Sequence, residues 1–425
     1  MATMAVTSRL RKWSRRFLSA LGPGLITGAA DDDPSGIATY SIAGAQLGTS
    51  LLWTAFLTWP LMAAVQMMCA RIGMVRGEGL AAALKKRVPK PFVIAATFAL
   101  LIANTINIAA DLSGMADAAE MLTGLNSHVY VVVFGVGIAV AVIRLPYRRI
   151  ASVLKWLALA LFAYVIAAFR VGVDWGEIAH SAFIPTWPRS GEAWATLVAI
   201  LGTTISPYLF YWQASEEVEE EKALGRTTLA ARRGASGREI TDRSLDVGVG
   251  TFFSNLVMFF IILTTAVTLH RHGITKIETS RQAAEALRPL AGGFAATLFT
   301  LGVLGVGFLA IPTLAGSAAY AFAETFGWKQ GLDQKVSGAR RFYFIVGIST
   351  AAGIALDFAK ISPLRALYWS AVVNGLLAPF LLVGVLLVAS SRKLMEKQPS
   401  SVLGRAAVAV ATLLMFGAAI GMFVF

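Results

Sequence analysis

The amino-acid sequence predicts an all-α polytopic membrane protein with about eleven transmembrane helices. Of its 425 residues, 56% are apolar and only 14% are charged, against about 25% charged residues in an ordinary soluble domain. The uncharged runs repeatedly reach the length of about 20 residues that a membrane helix needs. This composition excludes a disordered protein, a disulfide scaffold and a soluble enzyme. The single cysteine, Cys69, cannot form an internal disulfide.

The spans follow one another between charged residues. The first begins near residue 17 and is interrupted by the carboxylates at 31–33, and the second covers about 49–70. The fifth requires Lys155 to lie near one end of its helix, where the side chain reaches the interface. Nine further spans are predicted at 91–110, 121–143, 150–169, 193–215, 247–269, 289–323, 342–356, 366–391 and 406–425.

The basic residues test this count independently. With eleven spans and a cytoplasmic N-terminus, 29 of the 37 Lys and Arg residues fall in the inner segments, as the positive-inside rule requires. We therefore expect a multi-pass protein of the plasma (inner) membrane with its C-terminus outside. The basic residues behind the net charge of +13 then lie mainly on the cytoplasmic face. The expected partner is therefore the lipid bilayer and not a nucleic acid.

Two spans contain helix-breaking residues at bilayer depth. The first contains GPGLITGAADDDPSG (22–36), and the sixth contains LGTTISPY (201–208). Proline removes a backbone donor, and unwound backbone inside a membrane is tolerated only beside protein or a watery cavity. Paired interruptions in corresponding spans indicate a transporter built from two inverted repeats. The predicted organisation is a basic tail (1–16), a first repeat (17–171), an outer loop (172–191), a second repeat (192–391) and an eleventh span (392–425).

The first break also carries charge. Asp31, Asp32 and Asp33 are adjacent, and the span holds no Lys or Arg near them. Carboxylates in a membrane are costly and indicate a functional site by default, so we expect a cation there. Walker A, zinc and nucleophile-elbow motifs are absent from the sequence, which argues against a primary pump and against an enzyme.

These segments resemble the Nramp divalent-metal transporters over nearly the whole chain. The resemblance is carried by residues 22–36, by AADLSG (109–114), by GTTISPYLFYWQASEE (202–217) and by the span count. It implies the LeuT-type five-plus-five inverted repeat with spans one and six unwound. Where most members have DPGN and Met-Pro-His, this chain has DPSG and Ser-Pro-Tyr. That pair of departures is similar to the Nramp-related magnesium transporter branch.

The resemblance also implies the metal-binding residues. Asp33 matches the metal-binding aspartate, and Gly36 stands in place of an asparagine ligand, which we expect to open space. Thr203 matches the residue that offers a backbone carbonyl, and Ser206 replaces a methionine ligand. Gly114 replaces a glutamate associated with proton movement. Possible additional contacts are Asp31, Asp32, Asp111, Tyr208, Gln213 and Asn374.

Some of these additional positions carry open alternatives: Asp31 and Asp32 are second ligands, vestibule charges or helix-end residues. Tyr208 and Gln213 replace histidines of the family. Asn374 either supplies an outer-facing ligand or makes an interhelical hydrogen bond. The acidic run 216–221 is either a solvated helix extension or an acidic exit vestibule.

The substitutions change the expected ion. Losing the soft thioether removes the bias toward softer metals, while carboxylate, carbonyl and hydroxyl oxygens suit Mg²⁺, which keeps several of its waters. We expect Mg²⁺, and also Mn²⁺, to be carried partly hydrated by alternating access, as a substrate and without a cofactor. Proton coupling is expected to be weak or absent, because the four histidines fall in outer loops or at span ends. The sequence leaves the oligomeric state open.

Two other functions remain as alternatives. One is a proton-coupled Mn²⁺/Fe²⁺ importer of the usual Nramp type. The other is an amino-acid or organic-solute carrier on the same scaffold, for which carboxylate-free breaks are expected.

Overall fold

The computed structural model describes residues 27–28, 30–145, 159–332, 334–359 and 361–425. The basic tail, the first span up to residue 26 and the start of the fifth span with Lys155 lie outside the described residues. The described chain consists of helices and connecting segments, without strands. Its longer helices are α1 (Pro34–Leu47), α2 (Trp53–Arg76), α3 (Lys90–Thr123), α4 (Ser127–Arg144), α5 (Phe162–Arg170), α6 (Gly191–Thr204), α7 (Pro207–Ala223), α8 (Gly237–Thr268), α9 (Ala295–Phe326), α10 (Arg340–Asp357), α11 (Pro363–Ala389) and α12 (Val402–Val424).

Further helices lie in the connections. The α-helical ones are Leu80–Leu84, Trp175–Phe183, Leu229–Arg232, Ser280–Ala284 and Arg288–Ala291. The single 3₁₀ turns are Leu159–Leu161, His270–His272, Glu285–Leu287 and Gly292–Phe294.

Eight segments of the described chain are long and apolar enough to cross a bilayer. They are Trp53–Arg76, Lys90–Thr123, Ser127–Arg144, Gly191–Ala223, Gly237–His272, Ser280–Phe326, Pro363–Ala389 and Val402–Val424. They coincide with predicted spans two, three, four, six, seven, eight, ten and eleven, which confirms the all-α membrane fold. Helix α10 lies where the ninth span is predicted but is not among the eight, so the total of eleven stays a prediction.

Both predicted breaks are present. The chain is helical at Asp31, leaves the helix at residues 32–33 and resumes with Pro34 as the first residue of α1. In the sixth span α6 ends at Thr204 and α7 begins at Pro207. In each case a proline starts the second half-helix, a position where its missing N–H costs nothing.

Close backbone contacts hold the half-helices in place. A Cβ atom on Gly44 of α1 would lie 2.3 Å from the Ile262 carbonyl oxygen of α8. A Cβ atom on Gly73 of α2 would lie 2.4 Å from the Ala214 carbonyl oxygen of α7. Each half-helix therefore packs on the second span of the other predicted repeat, the relation that two inverted repeats would produce. The repeat boundaries remain a prediction.

The predicted inner segments meet at one end of the molecule. Arg76 donates a hydrogen bond to the Leu394 carbonyl at 2.8 Å, and Arg71 donates one to the Pro399 carbonyl at 2.7 Å. Arg232 donates to the Gly77 carbonyl from the loop after α7. We call this the basic end, formed by the described basic segments 71–90, 222–243, 329–341 and 392–405.

Candidate metal site

The side chain of Asp33 is buried where the first span breaks. Its Oδ1 atom accepts hydrogen bonds from the Gly36 backbone N–H at 2.7 Å and from the Ser35 hydroxyl at 2.6 Å, and so caps α1. Its Oδ2 atom accepts a hydrogen bond from Asn107 Nδ2 at 3.0 Å. One oxygen is thus fixed by the local turn and the other by α3.

Asn107 connects Asp33 to two further predicted residues. Its Nδ2 atom also donates to Asp111 Oδ2 at 3.1 Å, and its Oδ1 atom accepts from Asn374 Nδ2 at 3.1 Å. All four side chains are buried. Of the two interpretations of Asn374, the structure contains the interhelical hydrogen bond. The sequence reasoning missed Asn107, although it lies four residues before Asp111 and thus on the same helix face.

The other two aspartates of the first break face α8. The Ser254 hydroxyl lies 2.7 Å from Asp31 Oδ2 and 3.1 Å from Asp32 Oδ1. Both carboxylates are buried. They therefore lie beside the Asp33 cluster but are held by a different helix. Ser254 was not predicted, because nothing in the local sequence links it to residues more than 200 positions earlier.

The second break leaves a backbone carbonyl without its helical hydrogen-bond donor. In a continuous helix the Thr203 carbonyl would accept from the residue four positions later, but that residue is Pro207, which has no N–H. The Ser206 hydroxyl lies 2.8 Å from this carbonyl and 2.8 Å from that of Gly202, to which it can also donate. The two predicted ligands of the sixth span thus contact each other.

The first break also leaves a carbonyl without its helical donor, and a hydrogen bond connects this carbonyl to the second break. Pro34 follows Ala30 by four residues, so the Ala30 carbonyl also lacks a helical partner. The Tyr208 hydroxyl donates to this carbonyl at 2.9 Å. Tyr208, predicted as a possible metal contact, therefore ties α7 to the unwound segment of the first span.

The space beside Gly36 differs from the expectation. A Cβ atom on Gly36 would lie 3.1 Å from Thr203 Oγ1, which is tighter than an ordinary van der Waals contact, and 3.4 Å from Tyr40 Cε2. The expectation that glycine opens space is therefore wrong in this structure, because the Thr203 hydroxyl lies directly beside the position that a Cβ atom would take. The same contact brings the two breaks together.

Several buried oxygen atoms around the breaks have no hydrogen-bond partner within the described residues. Among them are Asp31 Oδ1, Tyr40 Oη, Asp111 Oδ1, Thr203 Oγ1 and Asn374 Oδ1. Buried polar atoms are nearly always satisfied, so unpaired ones indicate an unseen water or ion. Within the described ranges no three carboxylate, imidazole or thiol groups converge as a ready-made metal cluster. The arrangement offers scattered oxygen donors, which suits an ion that keeps part of its water shell.

Comparison with known proteins identifies the family. The family profile described as Nramp, natural resistance-associated macrophage protein-like, matches residues 24–425. The chain belongs to the Nramp family. It is accordingly a membrane transporter and not an enzyme.

Relatives and solved structures agree with this Nramp assignment. The chain is 29% identical over 311 residues to the divalent metal cation transporter MntH of Yersinia enterocolitica, covering 71% of this chain and 73% of the relative. It is 26% identical over 361 residues to MntH of Aeromonas hydrophila, covering 82% and 85%. A manganese transporter structure from Eremococcus coleocola matches with a TM-score of 0.75, 17% identity and coverage of 96% and 87%.

The fold extends beyond the Nramp family. The closed conformation of Mhp1, a nucleobase-cation-symport-1 family transporter, matches with a TM-score of 0.52, 15% identity and coverage of 95% and 90%. These similarities confirm the LeuT-type fold.

Gln213 of this Nramp protein belongs to a separate cluster nearer the basic end. It donates to Glu217 Oε1 at 2.7 Å, and Glu217 pairs with Arg243 of α8 at 2.8 Å. Arg243 also pairs with Asp246 at 2.6 Å and with Glu220. Glu217 is only 1% exposed, so a purely solvated acidic extension is wrong. The sequence reasoning missed Arg243 as the main countercharge.

The described histidines of this Nramp chain lie away from the breaks. His128 Nδ1 is 2.6 Å from Asp357 Oδ2, and His270 Nδ1 is 2.7 Å from the Ala45 carbonyl. Both contacts are at the end opposite the basic end.

In the loop after α7, the hydrogen bond to Glu239 raises the pKa of the Arg226 guanidinium, so this basic residue stays charged.

Proposed function

We propose that this Nramp transporter carries Mg²⁺, and also Mn²⁺, partly hydrated and by alternating access, with weak or no proton coupling. It would then belong to the Nramp-related magnesium transporter branch. The observation that carries the proposal is the set of unpaired buried oxygens of Asp31, Asp111, Thr203 and Asn374 around the two breaks.

The chemistry of these donors favours a hard cation. Asp33 supplies a carboxylate, the second break supplies the Thr203 carbonyl, and Ser206 supplies a hydroxyl where related transporters have a thioether. Oxygen ligands suit Mg²⁺ and Mn²⁺, whereas a thioether favours softer metals. Mg²⁺ is usually held through one or two carboxylates with several waters kept. A central aspartate with one or two further carboxylate oxygens and scattered neutral oxygens nearby fits that mode of binding.

The relatives support the substrate class. The two bacterial relatives are named divalent metal cation transporters, and the structural neighbour is named a manganese transporter. This agrees with Mn²⁺ as a second substrate. An organic-solute carrier is disfavoured, because the aspartates of the first break would repel a substrate carboxylate that the half-helix ends should attract.

Weak proton coupling is supported by the placement of titratable groups. Among the described residues, the carboxylates near the breaks are Asp31, Asp32, Asp33 and Asp111, while His128 and His270 lie at the opposite end of the molecule. Gly114 offers no titratable side chain. Uptake can be driven by the membrane potential alone, which contributes about 2.3 kcal/mol per charge for each 100 mV.

The orientation completes the proposal. The clustered basic segments support a cytoplasmic position for the basic end, by the positive-inside rule. The N-terminus would then be cytoplasmic and the C-terminus outside, in the plasma (inner) membrane, with repeats over 17–171 and 192–391. Cysteine-accessibility labelling from each side of the membrane tests this: a cysteine at Lys335 should react only from the cytoplasm.

Ion flux tests the proposed substrate. The purified protein in liposomes, under an inside-negative potential, should take up Mg²⁺, and added Mn²⁺ should compete. Uptake of Mn²⁺ without any uptake of Mg²⁺ would contradict the proposal.

A further inference from the structure

Asn107 uses both of its N–H donors and its carbonyl oxygen at the candidate metal site. An asparagine amide offers two N–H donors and a carbonyl acceptor. The two donors contact Asp33 Oδ2 at 3.0 Å and Asp111 Oδ2 at 3.1 Å, and the carbonyl accepts from Asn374 at 3.1 Å. The orientation of this amide is unambiguous, because a flipped amide would place its oxygen against two carboxylates.

This arrangement fixes the spacing of two buried carboxylates. Both Oδ2 atoms lie within hydrogen-bond distance of one nitrogen, so they are no more than about 6 Å apart. Asp33 Oδ1 is already held by the turn that begins α1. The direction of Asp33 Oδ2 is therefore set by Asn107, which stands on a different helix.

We propose that Asn107 is a positioning residue for the transported ion. It aims Asp33 Oδ2 and holds Asp111 at a set distance, and it thereby controls how strictly the site discriminates between ions. In this role Asn107 acts through the two aspartates that its N–H donors contact, and not as a ligand of the ion. The inference rests on the proposed function, because it concerns the ion that Asp33 binds.

The expected consequence is a change in ion discrimination. Mg²⁺ demands near-ideal octahedral geometry, whereas Ca²⁺ accepts flexible geometry and more ligands. If Asp33 Oδ2 loses its fixed direction, binding of Mg²⁺ should weaken more than binding of Ca²⁺. A residue with a purely structural role would change the amount of active protein without changing this ratio.

The same helix supplies a matched control. Asn104 lies one turn before Asn107, is equally buried and donates to the Leu314 carbonyl and the Ser317 hydroxyl, both at 2.8 Å. Its amide therefore binds α9 and not the aspartates. Comparing Asn107→Ala with Asn104→Ala separates an effect on the metal site from the loss of a buried asparagine.

The experiment measures KM and Vmax for Mg²⁺, Mn²⁺ and Ca²⁺ uptake in liposomes. Asn107→Ala should raise the KM for Mg²⁺ about tenfold, as expected for a lost charge-assisted hydrogen bond, and should lower the Mg²⁺/Ca²⁺ efficiency ratio. Asn104→Ala should leave the KM and the ratio unchanged. A change in Vmax alone for Asn107→Ala, or equal changes in both variants, would overturn the inference.

A second variant covers the case in which Asn107→Ala does not fold. Asn107→Leu keeps the approximate size of the side chain and removes both N–H donors without adding a charge beside the two carboxylates. It should show the same fall in the Mg²⁺/Ca²⁺ ratio, and an unchanged ratio would overturn the inference. A double variant with Asp111→Asn should show less than additive changes in KM, because the two side chains act together; additive changes would overturn it.

Failure of the inference can be distinguished from failure of the proposed function. If the unmodified protein carries Mn²⁺ but not Mg²⁺, the proposed function fails, and the Mn²⁺/Ca²⁺ ratio then tests Asn107. If the unmodified protein carries Mg²⁺ and the Asn107 variants keep its KM and ion ratio, only the inference fails.

Discussion

The Tyr208 hydroxyl donates a hydrogen bond to the carbonyl of Ala30, at 2.9 Å and across 178 residues of sequence. Pro34 deprives Ala30 of its helical donor, just as Pro207 deprives Thr203. A side-chain hydroxyl donates to each carbonyl: that of Tyr208 to the Ala30 carbonyl, and that of Ser206 to the Thr203 carbonyl. The two breaks are thus stabilised in the same way, and Tyr208 joins them into one site.

Removing the Tyr208 hydroxyl should weaken this connection. Tyr208→Phe leaves the buried Ala30 carbonyl unpaired, at a cost of about 1–3 kcal/mol, so the melting temperature in detergent and the ion uptake should both fall. Tyr211→Phe is the control: Tyr211 is also buried on α7, and its hydroxyl has no partner in the described part of the chain. Equal losses in the two variants would show that the Ala30 contact is unimportant.

The residue at position 206 should set the preference between soft and hard ions. Ser206→Met introduces a thioether beside the Thr203 carbonyl, so the Mn²⁺/Mg²⁺ ratio of uptake should rise severalfold. Ser206→Ala removes the hydroxyl without adding sulfur and should leave this ratio closer to that of the unmodified protein. The account would be wrong about position 206 if both variants changed the ratio equally.

Asp33 and Asp31 of the first break should differ in importance. Asp33 connects the capping turn of α1 to Asn107, whereas Asp31 faces Ser254 of α8. Asp33→Ala should therefore abolish uptake, while Asp31→Ala should only reduce it. Initial rates of Mg²⁺ uptake, normalised to reconstituted protein, measure the difference, and equal loss at both positions would mean that the ion site is wider than proposed.

The charged cluster near the basic end should matter for stability. Arg243→Ala leaves Glu217 and Asp246 buried without their countercharge, and breaking a buried ion pair in this way costs about 3–5 kcal/mol. Arg238→Ala is the control, because Arg238 is exposed and forms a looser pair with Asp242 at 3.6 Å. Such exposed pairs contribute about 0–1 kcal/mol to stability. Thermal unfolding in detergent compares the two, and similar melting temperatures would contradict this assignment.

The sequence predicted those features that depend on local chemistry. The breaks lie at Pro34 and Pro207 because proline lacks a backbone donor wherever it stands. The apolar runs likewise predicted where the spans lie, but not their ends: α3 continues to Thr123 beyond the predicted 91–110, and α8 begins at Gly237 before the predicted 247–269. Asn107, Ser254 and Arg243 were missed because their importance comes from residues on other helices. The space beside Gly36 was misjudged because its content depends on Thr203, more than 160 residues away.

The most direct test of the central claim follows Mg²⁺ uptake and internal pH in the same liposomes under an inside-negative potential. The account predicts Mg²⁺ uptake that rises with the potential, falls to background in Asp33→Ala and leaves the internal pH nearly unchanged. Uptake of Mn²⁺ with strong internal acidification, and no uptake of Mg²⁺, would contradict it.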